Sequence, residues 1–188
     1  MTDDQIGPFK LISRRTVYKS PWLELREDGV IRPDGAPGTF GVITMKEGSS
    51  ILPLDDDGQV YLVREFKYGI ERDSIEVISG GLDDGETPLA AAQRELLEET
   101  GLIAREWLSL GCVNPFTTVV KSPNHVFLAR NLEVGSRKLE AGEVLTIEKM
   151  KFSDALSLVY DGTISHAASC VAILRTALLL KGNGDGGY

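Results

Sequence analysis

Glu95, Glu98 and Glu99 stand three and four residues apart in the stretch "RELLEETGL", so a helix through them would place all three carboxylates on one turn-to-turn face. Like charges at that spacing destabilise an exposed helix by roughly 0.2 to 0.5 kcal/mol per pair, a penalty small enough for a merely solvated acidic face. Two features point further. Between Gly80 and Leu102 lie Asp83, Asp84, Glu86, Glu95, Glu98 and Glu99, against the single base Arg94. Just upstream, "ISGGLDDGE" places two glycines at the end of an apolar run, where backbone can approach a ligand and a carbonyl can point outward. Carboxylates on a helix face beside a backbone carbonyl form the oxygen donor set of a hard cation such as magnesium or manganese.

The elements that must position these groups are legible. Thr87 followed by Pro88 is a hydroxyl cap with proline at the first helical position, and Gly101 is a helix stop. The spacing predicts a helix from Pro88 to Thr100, with Leu89, Ala90, Ala92 and Leu96 as its core-facing stripe. Upstream, "FKLISRRTVY", "WLELREDGVI" and "TFGVITM" read as strands separated by turn chemistry. Ser50 to Phe66 reads as a hairpin around Asp55 to Gly58, and "SIEVIS" as one short strand leading into the glycines. Further strands are expected over residues 108–113, 125–128 and 144–150. "FSDALSLVYDG" and "SHAASCVAILRTALLLKG" then carry helical spacing. The expected class is mixed α/β: a strand section over 1–48, a main domain over 49–182 and a flexible tail over 183–188.

Composition narrows the partners. The chain of 188 residues has a formal net charge of -8, which supplies no basic field for nucleic acid. Cys112 and Cys170 lack metal-ligand spacing and read as reduced thiols. The start "MTDDQIGPFK" has no basic segment leading into an apolar run, and no apolar run approaches ~18 residues. Export and membrane insertion are not expected; a cytoplasmic setting is.

Gly80, Glu86, Arg94, Glu95, Leu96, Glu98, Glu99, Gly101 and Leu102 fit the pattern G-x(5)-E-x(7)-R-E-U-x-E-E-x-G-U, with U aliphatic, at every position. With each of the seven fixed residues matched by chance at roughly one in fifteen, an accidental fit is on the order of one in 10^8 per start point. The stretch resembles the signature of the Nudix hydrolases. That resemblance implies an α/β/α sandwich with a mixed central sheet, and metal-dependent hydrolysis of a nucleoside diphosphate linked to another group, X. It implies Glu95 and Glu99 as metal ligands and Glu98 as a further ligand or water-orienting base. The backbone carbonyl of Ser79 would complete the metal shell, with Glu86 and Arg94 as a structural ion pair between Gly80 and Gly101.

The wider pattern, "VYLVREFKYG" followed by "IEVISGGLDDGETPLAAAQRELLEETG", looks like the ADP-ribose and nucleotide-sugar pyrophosphatase branch. Members of that branch are homodimers whose N-terminal strands help build the partner's pocket. By the same resemblance Glu143, with Glu140 as fallback, takes the place of a catalytic base on a loop after the signature. Trp22 and Phe40 take the place of aromatics that sandwich adenine. Lys67 stands where the branch carries an arginine that grips the diphosphate, with Arg64 nearby; lysine cannot reproduce that bidentate grip. Pro115, thirteen residues beyond Leu102, is displaced from the branch's marker position of about fifteen. The expected reaction is hydrolysis of ADP-ribose to AMP and ribose 5-phosphate with magnesium or manganese. The alternatives are GDP-mannose or another nucleotide sugar as substrate, and a sensor that binds without turnover.

Overall fold

The computed structural model describes residues 5–136 and 144–182. In chain order the strands begin with β1 (Gln5–Ile6), β2 (Phe9–Lys19), β3 (Leu23–Ile31), β4 (Pro37–Met45), β5 (Gly48–Pro53), β6 (Gln59–Lys67), β7 (Arg72–Glu76) and β8 (Ile78–Gly81). Helix α1 (Pro88–Thr100) follows, then β9 (Leu102–Val113), β10 (Val120–Lys121), β11 (Asn124–Val134) and β12 (Leu145–Lys151). The chain continues into helices α2 (Phe152–Tyr160) and α3 (Ala167–Gly182). It divides into two compact units, Met1–Lys46 with Asn114–Pro123, and Glu47–Val113 with Asn124–Tyr188.

The first unit is one sheet in the order β1-β2-β3-β4-β10, antiparallel except for the parallel β10–β4 pair. Its β3–β4 connection is closed by Gly35, whose φ of 81° L side chains rarely adopt. On the sheet, buried Asp28 receives both Nε and Nη2 of Arg14, at 2.8 and 2.9 Å. Those bonds hold its carboxyl below the ordinary value against the opposing effect of burial, with Arg26 assisting. Among the described residues of this unit Val30 is the buried hydrophobic, and neither apolar core of the protein draws on it.

The second unit holds a four-stranded mixed sheet, β8-β5-β11-β9, and a three-stranded antiparallel sheet, β12-β6-β7. Period-two alternation sorts β5 and β11 onto two faces. Leu52, Leu54, Val126 and Leu128 pack with Phe152, Ala155 and Ile173 of α2 and α3. Ile51, Phe127 and Ala129 pack with Ala92 and Leu96 of α1. Helices therefore cover both sides of a mixed sheet, the expected α/β/α layering.

Three local expectations need correction. Residues 50–66 do not form a hairpin ladder: β5 and β6 enter different sheets, joined only by the bridge Leu54↔Val60. The turn chemistry is nonetheless present, with Asp55 Oδ1 accepting from the Asp57 and Gln59 N–H groups and Gly58 at a φ of 73°. "SIEVIS" is two strands rather than one, because the chain leaves one sheet at Glu76 and joins the other at Ile78. Leu89 and Ala90 are exposed; the buried face of α1 is Ala91, Ala92, Glu95, Leu96 and Glu99.

Candidate active site

Helix α1 is fixed at both ends by its own residues. Thr87 Oγ1 accepts from the Ala90 N–H at 3.2 Å, and Gly101, at a φ of 74°, donates its N–H to the Leu97 carbonyl at 2.8 Å. Ser49 Oγ of β5 donates to the Pro88 carbonyl at 2.7 Å, setting the helix on the four-stranded sheet. That seating turns the acidic face inward: Glu95 is 9% exposed and Glu99 6%. Glu98, one residue off that face, is half-buried.

Arg94 sits among these carboxylates. Its Nε and Nη2 form a fork on Glu86, at 3.0 and 2.9 Å. Its Nη1 reaches Glu95 Oε1 at 2.6 Å and Glu98 Oε2 at 3.1 Å, and Nη2 also donates to the Gly81 carbonyl at 2.9 Å. The Glu86 bonds, with those to Glu95 and Glu98, raise the Arg94 pKa well above its ordinary value. Glu86 is held below its own by Arg94 and by the Asp83 N–H, which donates to Glu86 Oε2 at 3.0 Å. One guanidinium thus ties the loop after β8 to the helix and offsets three carboxylates at once.

Gly80 explains itself by space rather than by backbone freedom, since it is not among the glycines with positive φ. A Cβ placed there would fall inside the Glu95 carboxylate. Ser79 precedes it on β8, opposite Ser50 of β5. Gly80 and Glu95 therefore meet where β8 approaches α1, and Arg94 ties Glu98 to Glu95 there. The donors are hard carboxylate and carbonyl oxygens, with the Glu95 carboxylate packed directly against Gly80, so the chemistry of the set fits a hard divalent cation. Among the described residues no three His, Cys, Asp or Glu side chains close around a common point, and Arg94 holds two of the three glutamates.

Lys67 ends β6 with its Nζ 2.5 Å from Glu65 and 3.8 Å from Glu76. Burial opposes its charge, but Glu65, Glu76 and Glu99 together raise its pKa; Lys67 therefore lies within electrostatic reach of the carboxylate junction. Arg64 is not brought there. It has the opposite strand parity and pairs with Glu148 of β12. In the first unit Trp22 is 73% exposed before β3, and Phe40 of β4 packs edge-to-face on Phe9 with centroids 5.2 Å apart. Glu143 and Glu140 lie outside the described residues. Glu65, Glu76, His166 and Ser169 were not singled out by the sequence; only the alternation in β7 hints that Glu76 shares a face with Ser74 and Arg72.

A NUDIX domain matches residues 45–168. The chain belongs to the Nudix family. Ahead of that match, residues 9–43 fit a nucleoside diphosphate sugar hydrolase N-terminal domain. An ADP-ribose pyrophosphatase of Bacillus subtilis (strain 168) is 28% identical over 166 residues, spanning 87% of this chain and 90% of that protein. An ADP-ribose pyrophosphatase of Mycobacterium tuberculosis is 29% identical over 177 residues, spanning 93% and 86%. The fold is also that of a crystal structure of an ADP compounds hydrolase, with a TM-score of 0.83 at 21% identity over 96% of this chain and 98% of that one. The matched range contains the junction of β8 and α1, where Arg94 and Glu86 bind the loop after β8 to the helix.

Proposed function

We propose that this Nudix protein is a divalent-metal-dependent pyrophosphohydrolase of nucleoside diphosphate-linked sugars, cleaving ADP-ribose to AMP and ribose 5-phosphate. The observation that carries the reading is the pair of buried glutamates on α1, Glu95 and Glu99, with Glu95 seated against Gly80 and Glu98 tied to Glu95 through Arg94. The N-terminal domain match and the two ADP-ribose pyrophosphatase relatives support the substrate.

Glu95, Glu99 and the Ser79 carbonyl, with Glu98, would hold magnesium or manganese. Such an ion supplies Lewis acidity that neutralises the diphosphate oxygens. Lys67 binds the diphosphate as a point charge, and Glu143 takes a proton from the attacking water; hydrolysis places that water's oxygen on one phosphorus and releases the other phosphate as leaving group. Arg94 positions Glu95 without contacting substrate. Trp22 and Phe40 give the nucleobase flat faces to stack on.

A second copy completes the enzyme. The first unit exposes Ile12, Val17, Tyr18 and Trp22 on a sheet that contributes to neither apolar core, which supports burial of that sheet against a partner. The free thiols Cys112 and Cys170 suit a cytoplasmic setting. No described helix is long and apolar enough to cross a membrane.

The test is a hydrolysis panel of ADP-ribose, GDP-mannose, other nucleotide sugars, dinucleoside polyphosphates and nucleoside triphosphates, with and without magnesium. Metal-dependent release of AMP and ribose 5-phosphate is expected. Tight binding of one compound with no cleavage of any would make the protein a sensor instead.

A further inference from the structure

A cleft of 230 Å³ opens in the second unit between the β6–β7 edge and the start of α3. Lys67, Arg72, Ser74, Glu76, Ser165 and His166 line it. Because residues 72, 74 and 76 alternate along β7, their side chains share one face, and the pairs Lys67↔Arg72 and Glu65↔Ser74 bring β6 to the same face.

The His166 imidazole is held from one side. Its Nδ1 lies 2.8 Å from Ser169 Oγ and 3.4 Å from Glu76 Oε2. Ser169 is fully buried and also accepts the Val77 N–H at 2.9 Å. Since that hydroxyl has one proton of its own, the ring is fixed in place by a group that is itself fixed. Burial pushes the His166 pKa below its ordinary value, against the charge of Glu76, with Lys67 acting in the same direction as burial. Burial thus favours the neutral ring, and with Nδ1 engaged by Ser169 and Glu76, Nε2 is the nitrogen left to a ligand in the cleft.

The lining selects a ligand class. One carboxylate, Glu76, lines the cleft with two cations, Lys67 and Arg72, and Glu65, outside the lining, pairs with Lys67, so little net field is left to favour a second multiply charged phosphate. No aromatic face is present for a nucleobase, and Ile70 is the one large apolar side chain in the lining. The volume is below the ~300 to 1,000 Å³ of sites that enclose a drug-sized ligand. Paired charges, two serine hydroxyls and a neutral imidazole, by contrast, offer both donors and acceptors to closely spaced hydroxyl groups. Lys67 lines the cleft and also feels the charge of Glu99, which links the cleft electrostatically to α1.

We propose that this cleft is the subsite for the non-nucleoside group X, that X is a polyhydroxylated sugar, and that Glu76 and His166 read its hydroxyls. The proposal rests on the hydrolase reading for its substrate and adds which side chains select it.

The test pairs kinetics with binding. In His166→Ala and Ser165→Ala, kcat/KM for ADP-ribose should fall by about 10- to 100-fold for His166 and less for Ser165, chiefly through KM. ADP methyl ester, with the same nucleoside diphosphate and no sugar hydroxyls in X, should be hydrolysed by each variant as by the wild type. His166→Asn, which keeps a polar atom near the Nδ1 position but none at Nε2, should behave like His166→Ala. Equal loss on both substrates would mark His166 as merely structural and overturn the proposal, as would no loss on either.

The protein has two histidines, so the ring resonances of His166 can be followed against those of His125. Ribose 5-phosphate should shift His166 and spare His125, and inorganic phosphate should shift neither. Hydrolysis of the panel with no His166 shift would overturn the cleft assignment alone. A His166 shift without hydrolysis would overturn the hydrolase and leave the sugar subsite standing.

Discussion

Replacing Gly80 by alanine separates space from chemistry at the site. The three atoms nearest the added Cβ all belong to Glu95, the most distant being Oε2 at 2.5 Å. Because the obstruction is the end of a side chain, the backbone can stay and the carboxylate must move. Moving it gives up the 2.6 Å bond from Arg94 Nη1. A hydrogen bond to a charged group contributes about 1.5 to 3 kcal/mol, and the partial exposure of Arg94 places the loss toward the lower end. Gly80→Ala should therefore lower stability by about 1.5 kcal/mol, measured from the urea midpoint, and leave the fold intact. Turnover should suffer far more. Removing even an outer partner of a metal ligand lowers metal affinity or activity about 10- to 100-fold, so displacing Glu95 itself should exceed about 100-fold, with a higher magnesium requirement. In a Glu95→Ala background the obstruction is gone, and adding Gly80→Ala should then change stability by less than about 0.5 kcal/mol. A Gly80→Ala enzyme with wild-type turnover, or an equal stability loss in both backgrounds, would refute the reasoning.

Glu99→Gln should lower turnover by orders of magnitude while its thermal midpoint stays near that of the wild type; near-normal turnover would remove Glu99 from the metal set. Arg94→Met should destabilise the protein at neutral pH, with a deficit that narrows as pH falls. The folded pKa of Glu86 lies below its ordinary 4.5, so the stability its pairing contributes is complete above about pH 4.5 and is lost as pH drops through the folded value. A wild-type-minus-variant gap that stays constant between pH 7 and 3 would contradict the pairing. Glu143→Gln should depress kcat more than KM for ADP-ribose, and an unchanged kcat would pass the base role to Glu98 or Glu140.

The bounds of α1 were readable because they rest on local chemistry: the Thr87 hydroxyl, Pro88 and the left-handed Gly101 act within their own turns. The buried face of α1 was readable in part. Hydrophobicity selects Leu89, Ala90, Ala92 and Leu96, of which Ala92 and Leu96 are buried, but the Ser49–Pro88 bond and the packing on β5 and β8 turn Glu95 and Glu99 inward and leave Leu89 and Ala90 exposed. The failed hairpin has the same origin. Asp55 and Gly58 make the turn legible, whereas the partners of β5 and β6 depend on residues as distant as Asn124–Ala129 and Leu145–Lys151. His166 and Ser169 left no trace in the sequence reading, because Ser169 meets Val77 across 92 residues and a single serine in an apolar helix carries no periodic signal.

The sheet switch at Val77 explains why the candidate site sits where it does. A strand that leaves one sheet for another frees a buried N–H at the crossing, and an unsatisfied buried donor costs about 1 to 3 kcal/mol. Ser169 Oγ meets that need for Val77. On one side of the crossing Glu76 enters the cleft with Lys67 and His166; on the other, Gly80 meets Glu95 of α1. The proposed metal site and the proposed sugar cleft thus flank five consecutive residues because those residues serve two sheets. The fixed positions of the signature follow from the same crowding. Gly80 is required by the volume of Glu95, and Arg94 by the charge of Glu86, Glu95 and Glu98. Its spacing is a packing condition as much as a chemical one, so a degenerate signature should lose its loop geometry together with its metal site.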